Sequence, residues 1–111
     1  VYRNVFGSLI IDGEDAIVAL NQVKFSRTLG LEVFGSGHTM SPNVSQANAF
    51  DGFWSICDGC TFDRNRSAGN GTVGMRDLTT GSGTGGTAST YSRNVCSGNA
   101  LGDSSPPGLC R

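Results

Sequence analysis

Apolar and polar positions alternate most clearly in the first third of the chain. Val1, Tyr2, Val5 and Phe6, then Leu9, Ile10 and Ile11, flank Gly7-Ser8, and Asp12-Gly13 follows as a turn, which predicts two short strands before residue 13. From Ile17 to Phe25 the signal divides: Ile17, Leu20 and Asn21 suit a helix, whereas Val23 and Phe25, with Lys24 and Ser26 around them, alternate as a strand. A strand with room for a helical turn is the reading adopted. Leu29, Leu31 and Val33 share one face before Gly35-Ser36-Gly37 ends another strand. Residues 35–48 are polar, contain Pro42 and read as a long surface loop. The densest apolar run is 49–56, where Phe50, Phe53, Trp54 and Ile56 are expected to hold a central part of the core. Beyond Cys60 only 72–75 and 90–92 have strand character, and 81–90 has linker composition. The pattern predicts an all-β fold, a small disulfide-stapled antiparallel sandwich or roll with long Gly/Ser-rich loops.

With 111 residues the chain is expected to form a single domain, 1–111, divided into a better-packed part, 1–62, and a loop-rich part, 63–111. Seventeen glycines and only 15% charged residues suit a turn-rich β protein. Eight basic against nine acidic side chains give no strong positive field, which argues against a nucleic-acid partner. No apolar stretch approaches the ~20 residues of a membrane-spanning helix. Four cysteines, at 57, 60, 96 and 110, read as two disulfides. Sequence leaves three connectivities open, of which the local one joins Cys57 to Cys60 and Cys96 to Cys110; closing the latter loop contributes about 3 kcal/mol by chain entropy. Residue 1 is Val, as in a chain whose leader has been removed, and the expectation is a secreted or cell-surface protein. Three glycosylation sequons, at Asn43, Asn65 and Asn70, are of the kind chance supplies where eight Asn accompany abundant Ser and Thr.

Cys60-Thr61-Phe62-Asp63-Arg64-Asn65 and Arg93-Asn94-Val95-Cys96-Ser97-Gly98-Asn99 resemble coils of right-handed parallel β-helices, in which Asn residues stack at turns. The resemblance covers about a quarter of the chain. It makes a short right-handed parallel β-helix the alternative fold, kept second because no regular 20–50-residue self-similarity accompanies it.

Candidate chemistry is sparse. Cys57-Asp58-Gly59-Cys60, with the wider Cys96 to Cys110 spacing, is similar to the ligand order of high-potential iron–sulfur proteins, but the 35 residues between the pairs and the Gly/Ser-rich insert depart from that family. A thioredoxin-like reading lacks its βαβ context. His38 is the single histidine, and Gly102-Asp103-Ser104-Ser105-Pro106 resembles the nucleophile signature of chymotrypsin-like proteases except that Ser105-Pro106 replaces its glycines. Asp51, Asp58 and Asp63 are the carboxylates a small hydrolase would use. Asp12, Glu14 and Asp15 beside Gly13 are a weak calcium candidate without full EF-hand spacing. Phe50, Phe53 and Trp54 could line a sugar platform, although such a run more often belongs to a core. Arg64, Arg66, Arg76 and Arg93 read as solvated surface.

No acid/base pair, phosphate loop or complete metal set emerges, and no cofactor is expected. The expectation is a non-enzymatic extracellular structural or binding subunit of a surface assembly such as a pilus, fibre or coat. Its partners would be copies of itself or another surface protein, with Val1, Tyr2, Val5 and Phe6 as oligomer contacts through strand pairing. The alternatives are a carbohydrate-binding module whose partner is a glycan, a small secreted hydrolase, or an iron–sulfur electron carrier.

Overall fold

The computed structural model describes residues 3–111, with side chains from Gly7 onward. Fourteen short strands build three sheets: β1 (Arg3–Phe6), β2 (Leu9–Ile11), β3 (Ile17–Val18), β4 (Asn21–Lys24), β5 (Leu31–Ser36), β6 (Thr39–Met40), β7 (Asn43–Gln46), β8 (Phe53–Asp58), β9 (Thr61–Asp63), β10 (Arg66–Ala68), β11 (Val73–Asp77), β12 (Thr90–Ser92), β13 (Val95–Ser97) and β14 (Gly102–Ser105). Sheet A runs β1-β4-β7-β10-β13, sheet B β14-β11-β8-β5-β2 and sheet C β12-β9-β6-β3. Strands adjacent in sequence do not pair in the sheets. Each pairs, in parallel, with its counterpart one coil later, the rest of the coil serving as the long crossover a parallel pair requires. The antiparallel sandwich is therefore overturned, and the β-solenoid of the alternative reading is what the chain forms.

From β2 to β11 the coil is 22 residues long, with corresponding asparagines of adjacent coils bonded at that separation, while β1 pairs with β4 at an offset of 18. Self-similarity at this period does exist, contrary to expectation: Asn43-x-Ser45-x-x-Asn48 returns as Asn65-x-Ser67-x-x-Asn70, and Gly30, Gly52 and Gly74 stand 22 apart. Its outline blurs in the neighbouring coils, where Ser26 replaces an Asn and Cys96 a Ser. The last coil is longer, 29 residues, because an insertion near 80–86 displaces the register. That insertion carries a single 3-10 turn, Thr84–Gly86. The adjoining Thr87 and Ser89 are buried, so 81–90 is only partly linker-like.

Interior side chains stack coil upon coil. Leu31, Phe53 and Met75 form one column, Val18, Met40, Phe62 and Tyr91 another, and all are buried. Phe62 and Tyr91 lie face to face with centroids 4.4 Å apart. Beneath them the Tyr91 hydroxyl donates to Asp77 Oδ2 at 2.7 Å. Burial, and then the Asp77 carboxylate, push that hydroxyl far above its ordinary pKa. Residues 35–48, expected as a surface loop, instead contain β6 and β7 with Met40, Asn43, Ser45 and Asn48 buried.

Two asparagine ladders fill the corners on either side of sheet A. In the first, the backbone N–H and Nδ2 of Asn21 donate to Asn43 Oδ1, those of Asn43 to Asn65 Oδ1, and those of Asn65 to Asn94 Oδ1, at 2.8–3.2 Å. The second runs from the Ser26 N–H through Asn48 and Asn70 to Asn99. Buried corner amides that bend away from a sheet need partners, and a side-chain amide supplies both an acceptor and donors there. Glycine is required where the corner tightens: a Cβ on Gly52 would collide with Ser67 Oγ and Asn70 Nδ2. The Ser67 hydroxyl donates to the Gly74 carbonyl at 2.7 Å, and Ser45 repeats that bond with Gly52.

Cys57 pairs with Cys60 and Cys96 with Cys110, with Cα separations of 5.9 and 5.7 Å, and no cysteine is free among the described residues. The second pair holds residues 106–111 against β13, where Arg111 exchanges backbone bonds with Cys96 and Asn94 and Leu109 closes the core. Two disulfides fit a non-cytoplasmic compartment. No helix among the described residues is long and apolar enough to cross a membrane.

Candidate functional site

Strand alternation decides which way each candidate points. In β8, Phe53 faces the core at 1% exposure, whereas Trp54 faces outward and is half-buried. Phe50 stands exposed on the turn before the strand, so the aromatic run does not form one platform. Ile56, expected in the core, is exposed as well. These outward positions align with those of the neighbouring strands. Ile10, Glu32, Trp54 and Arg76 form one row across sheet B. Phe34 and Ile56 form the next row, continued by Leu78, whose N–H donates to the Ser55 carbonyl.

The outer face of sheet B is consequently rich in large apolar groups. Ile10, Ile56 and Leu78 are exposed and Phe34 and Trp54 half-buried, with the two rings meeting edge to face at 5.5 Å. Glu32 and Arg76 flank Trp54 in its row. Arg76 is anchored at the sheet margin, where its Nε donates to Asp51 Oδ2 at 2.7 Å. Asp51 also accepts from the Val73 N–H and the Thr72 hydroxyl, so this 3%-exposed carboxylate ties two coils together. Sequence reading missed this face because outward apolar residues in short strands look like core. The usable signal was the 22-residue recurrence of Phe34, Ile56 and Leu78.

The remaining candidates are dispersed. Asp51, Asp58 and Asp63 occupy three different corners of the coil: before β8, at its end, and at the end of β9. Asp63 pairs with Arg93 at 2.7 Å, and that hydrogen bond holds its carboxyl below the ordinary carboxylate range. Arg64 lies near the same carboxylate while Arg66 stands on sheet A and Arg76 on sheet B, so the four arginines share no patch. His38 is buried between β5 and β6, accepting the Ala16 N–H at Nδ1 and donating from Nε2 to the Phe34 carbonyl, 2.7 Å away. Both ring nitrogens are engaged in structure. Ser104, in the protease-like signature, donates to the Pro106 carbonyl in β14, far along the solenoid from His38. Asp12, Glu14 and Asp15 are exposed on the turn before β3, and no group of three metal-ligating side chains occurs among the described residues. The cysteines cannot share one cluster either, since Cys57 and Cys60 bracket one corner while Cys96 lies two coils on in sheet A.

Val1 and Tyr2 lie outside the described residues. Val5 and Phe6 belong to β1, which pairs with β4 in its own sheet.

The second reading of the three sequons is structural. Asn43, Asn65 and Asn70 are ladder rungs at 1–2% exposure, and seven of the eight asparagines in the chain serve the two ladders. The chain matches no protein family model, no curated protein and no solved structure.

Proposed function

We propose that the protein is a non-catalytic structural or binding subunit of an extracellular assembly, in contact with copies of itself through the outer face of sheet B. The observation that carries this reading is the outward apolar row of half-buried Phe34 with exposed Ile56 and Leu78, beside Trp54. Contiguous apolar surface on a flat sheet is the signature of an interaction site. The face is also complementary to itself. A half-turn about an axis along β8 sets Trp54 on Trp54 and Ile56 on Ile56, places Phe34 against Leu78, and brings Glu32 of one copy opposite Arg76 of the other. Such an isologous contact matches apolar to apolar and acid to base.

Its size points to an array rather than a tight pair. Five strands about 4.8 Å apart, of which the longest, β5 and β8, run about 20 Å, present no more than roughly 400 Å² per copy, about half of what a standard stable interface buries per partner. Weak contacts of this kind count when many are made at once, as in a fibre or coat. The outer edge of β1, on the side away from β4, offers a second route by strand addition. Sedimentation velocity over a concentration series tests the reading. The weight-average sedimentation coefficient should rise with concentration, Leu78→Asp should abolish the rise, Glu32→Arg should weaken it, and neither should lower the melting temperature. A concentration-independent monomer would refute it.

One observation favours a second reading. Trp54, braced by Phe34 and flanked by Glu32 and Arg76, has the parts of a sugar platform: a ring for a pyranose face and charged groups for its hydroxyls. Loss of glycan-array binding in Trp54→Ala, with the chain monomeric throughout, would bring that reading forward.

A further inference from the structure

All three N-x-S/T triplets begin on ladder asparagines, and two of them, at 43 and 65, recur at the fold's own 22-residue period. In the two central coils the first asparagine, Asn43 or Asn65, closes the corner entering sheet A and the serine two residues on bonds the next corner, so N-x-S there is built by the ladder, while Asn70 of the third sequon is a rung of the second ladder. N-glycosylation forms a bond from Asn Nδ2 to the sugar C1. The nitrogen gives up one of its two hydrogens, and the pyrophosphate of the lipid-linked donor leaves. Here both hydrogens are in use. Asn43 Nδ2 donates to the Val18 carbonyl at 2.8 Å and to Asn65 Oδ1 at 3.2 Å. Asn65 Nδ2 donates to the Met40 carbonyl at 2.7 Å and to Asn94 Oδ1 at 3.1 Å. Asn70 Nδ2 donates to Ser67 Oγ and Asn99 Oδ1 at 2.9 and 2.8 Å.

A glycan would remove one of these bonds and need a path to solvent from a site 1–2% exposed. The acceptor hydroxyls are committed too: Ser45 and Ser67 donate to the Gly52 and Gly74 carbonyls, and Thr72 to Asp51. We infer that glycosylation at Asn43, Asn65 or Asn70 and the native solenoid exclude each other. The chain therefore matures where disulfides form but N-x-S/T glycosylation does not act on it before the ladders close. An oxidising compartment without oligosaccharide transfer meets that condition, and a eukaryotic secretory pathway would poison the fold coil by coil.

The test translates the chain into microsomes that carry out disulfide formation and N-glycosylation, with and without an inhibitor of lipid-linked oligosaccharide synthesis. Chains are then sorted by protease resistance and weighed. Thr80→Asn supplies the control, creating a sequon at 80–82 in the exposed insertion. Protease-resistant chains should carry sugar at position 80 in that variant and none at 43, 65 or 70. Every chain glycosylated at those three should be digested, and the inhibitor should raise the resistant fraction. A resistant chain bearing a glycan on any ladder asparagine would overturn the inference. So would chains that stay protease-sensitive when glycosylation is blocked, because sugar would then not be what prevents folding.

Discussion

The central coils, residues 21–77, and the C-terminal region, residues 78–111, continue the same three sheets by different means. In the centre each coil repeats its neighbour at 22 residues, and the inner rungs Asn43, Asn65, Asn48 and Asn70 are held from both sides. In the C-terminal region the period lengthens to 29, Asn99 is only partly buried, and a disulfide with the Leu109 plug replaces the next layer of ladder and core. Register at the corners survives the change in spacing, so corner chemistry, rather than coil length, holds the strands in line. Stability in a repeat fold is a sum of neighbour interactions. A rung with two neighbours should therefore matter more than a rung with one.

The largest expected effect tests that contrast directly. Asn65→Ala removes the acceptor of the Asn43 amides and the donor to Met40 O and Asn94 Oδ1. Several buried groups lose partners at once, so the loss should be on the order of 4 kcal/mol, measured by urea unfolding. Asn99→Ala, chemically identical but at the half-open end, should cost about 1 kcal/mol; equal losses would erase the distinction. Replacing Cys96 and Cys110 by Ser together should cost about 3 kcal/mol and loosen the C-terminal region first, which amide exchange at 95–111 would report. Deleting residues 80–86 restores a 22-residue coil and should change stability by no more than about 1 kcal/mol. A deletion that unfolds the chain would show that the insertion is part of the fold rather than a bulge on it. Asp63→Asn should have the smallest effect. Its carboxyl titrates below the ordinary range in the folded state, so the Arg93 bond contributes in full above the unfolded-state pKa of about 4 and is lost as pH falls from there through the depressed folded value. The variant should thus show a slightly flatter acid limb in a pH series of melting temperatures.

Part of the strand content was legible in the residues: the expected strands at 9–11, before Gly35, at 72–75 and at 90–92 overlap β2, β5, β11 and β12, whereas β9, β10, β13 and β14 beyond Cys60 were missed. Strand direction was not legible, since a strand alternates identically whether its neighbours run parallel or antiparallel. The decisive signal lay in polar residues that a hydrophobicity reading passes over. Asn43-x-Ser45-x-x-Asn48 and its copy at 65–70 mark two coils, but Ser26, Val23 and Cys96 interrupt the motif on either side and the insertion shifts its last occurrence. Strands of two or three residues, such as β6 and β9, are too short to show a period at all. The outer face of sheet B was hidden for the opposite reason. Ile56 and Trp54 are as apolar as Phe53, and only the strand's alternation, once its register is known, separates inside from outside.

Both asparagine ladders share one sense: in every rung the N–H groups of one coil point to the Oδ1 of the coil that follows it. The amide dipoles along each corner are therefore aligned, and the solenoid has a donor end and an acceptor end. The donor end of the first ladder is closed within the molecule: Asn94 Nδ2 donates to the Leu109 carbonyl, and Arg111 exchanges backbone bonds with Cys96 and Asn94. The C-terminal segment thus stands where a further coil would, and it ends that ladder inside the molecule, whereas the pairing proposed through sheet B would be isologous and close on itself.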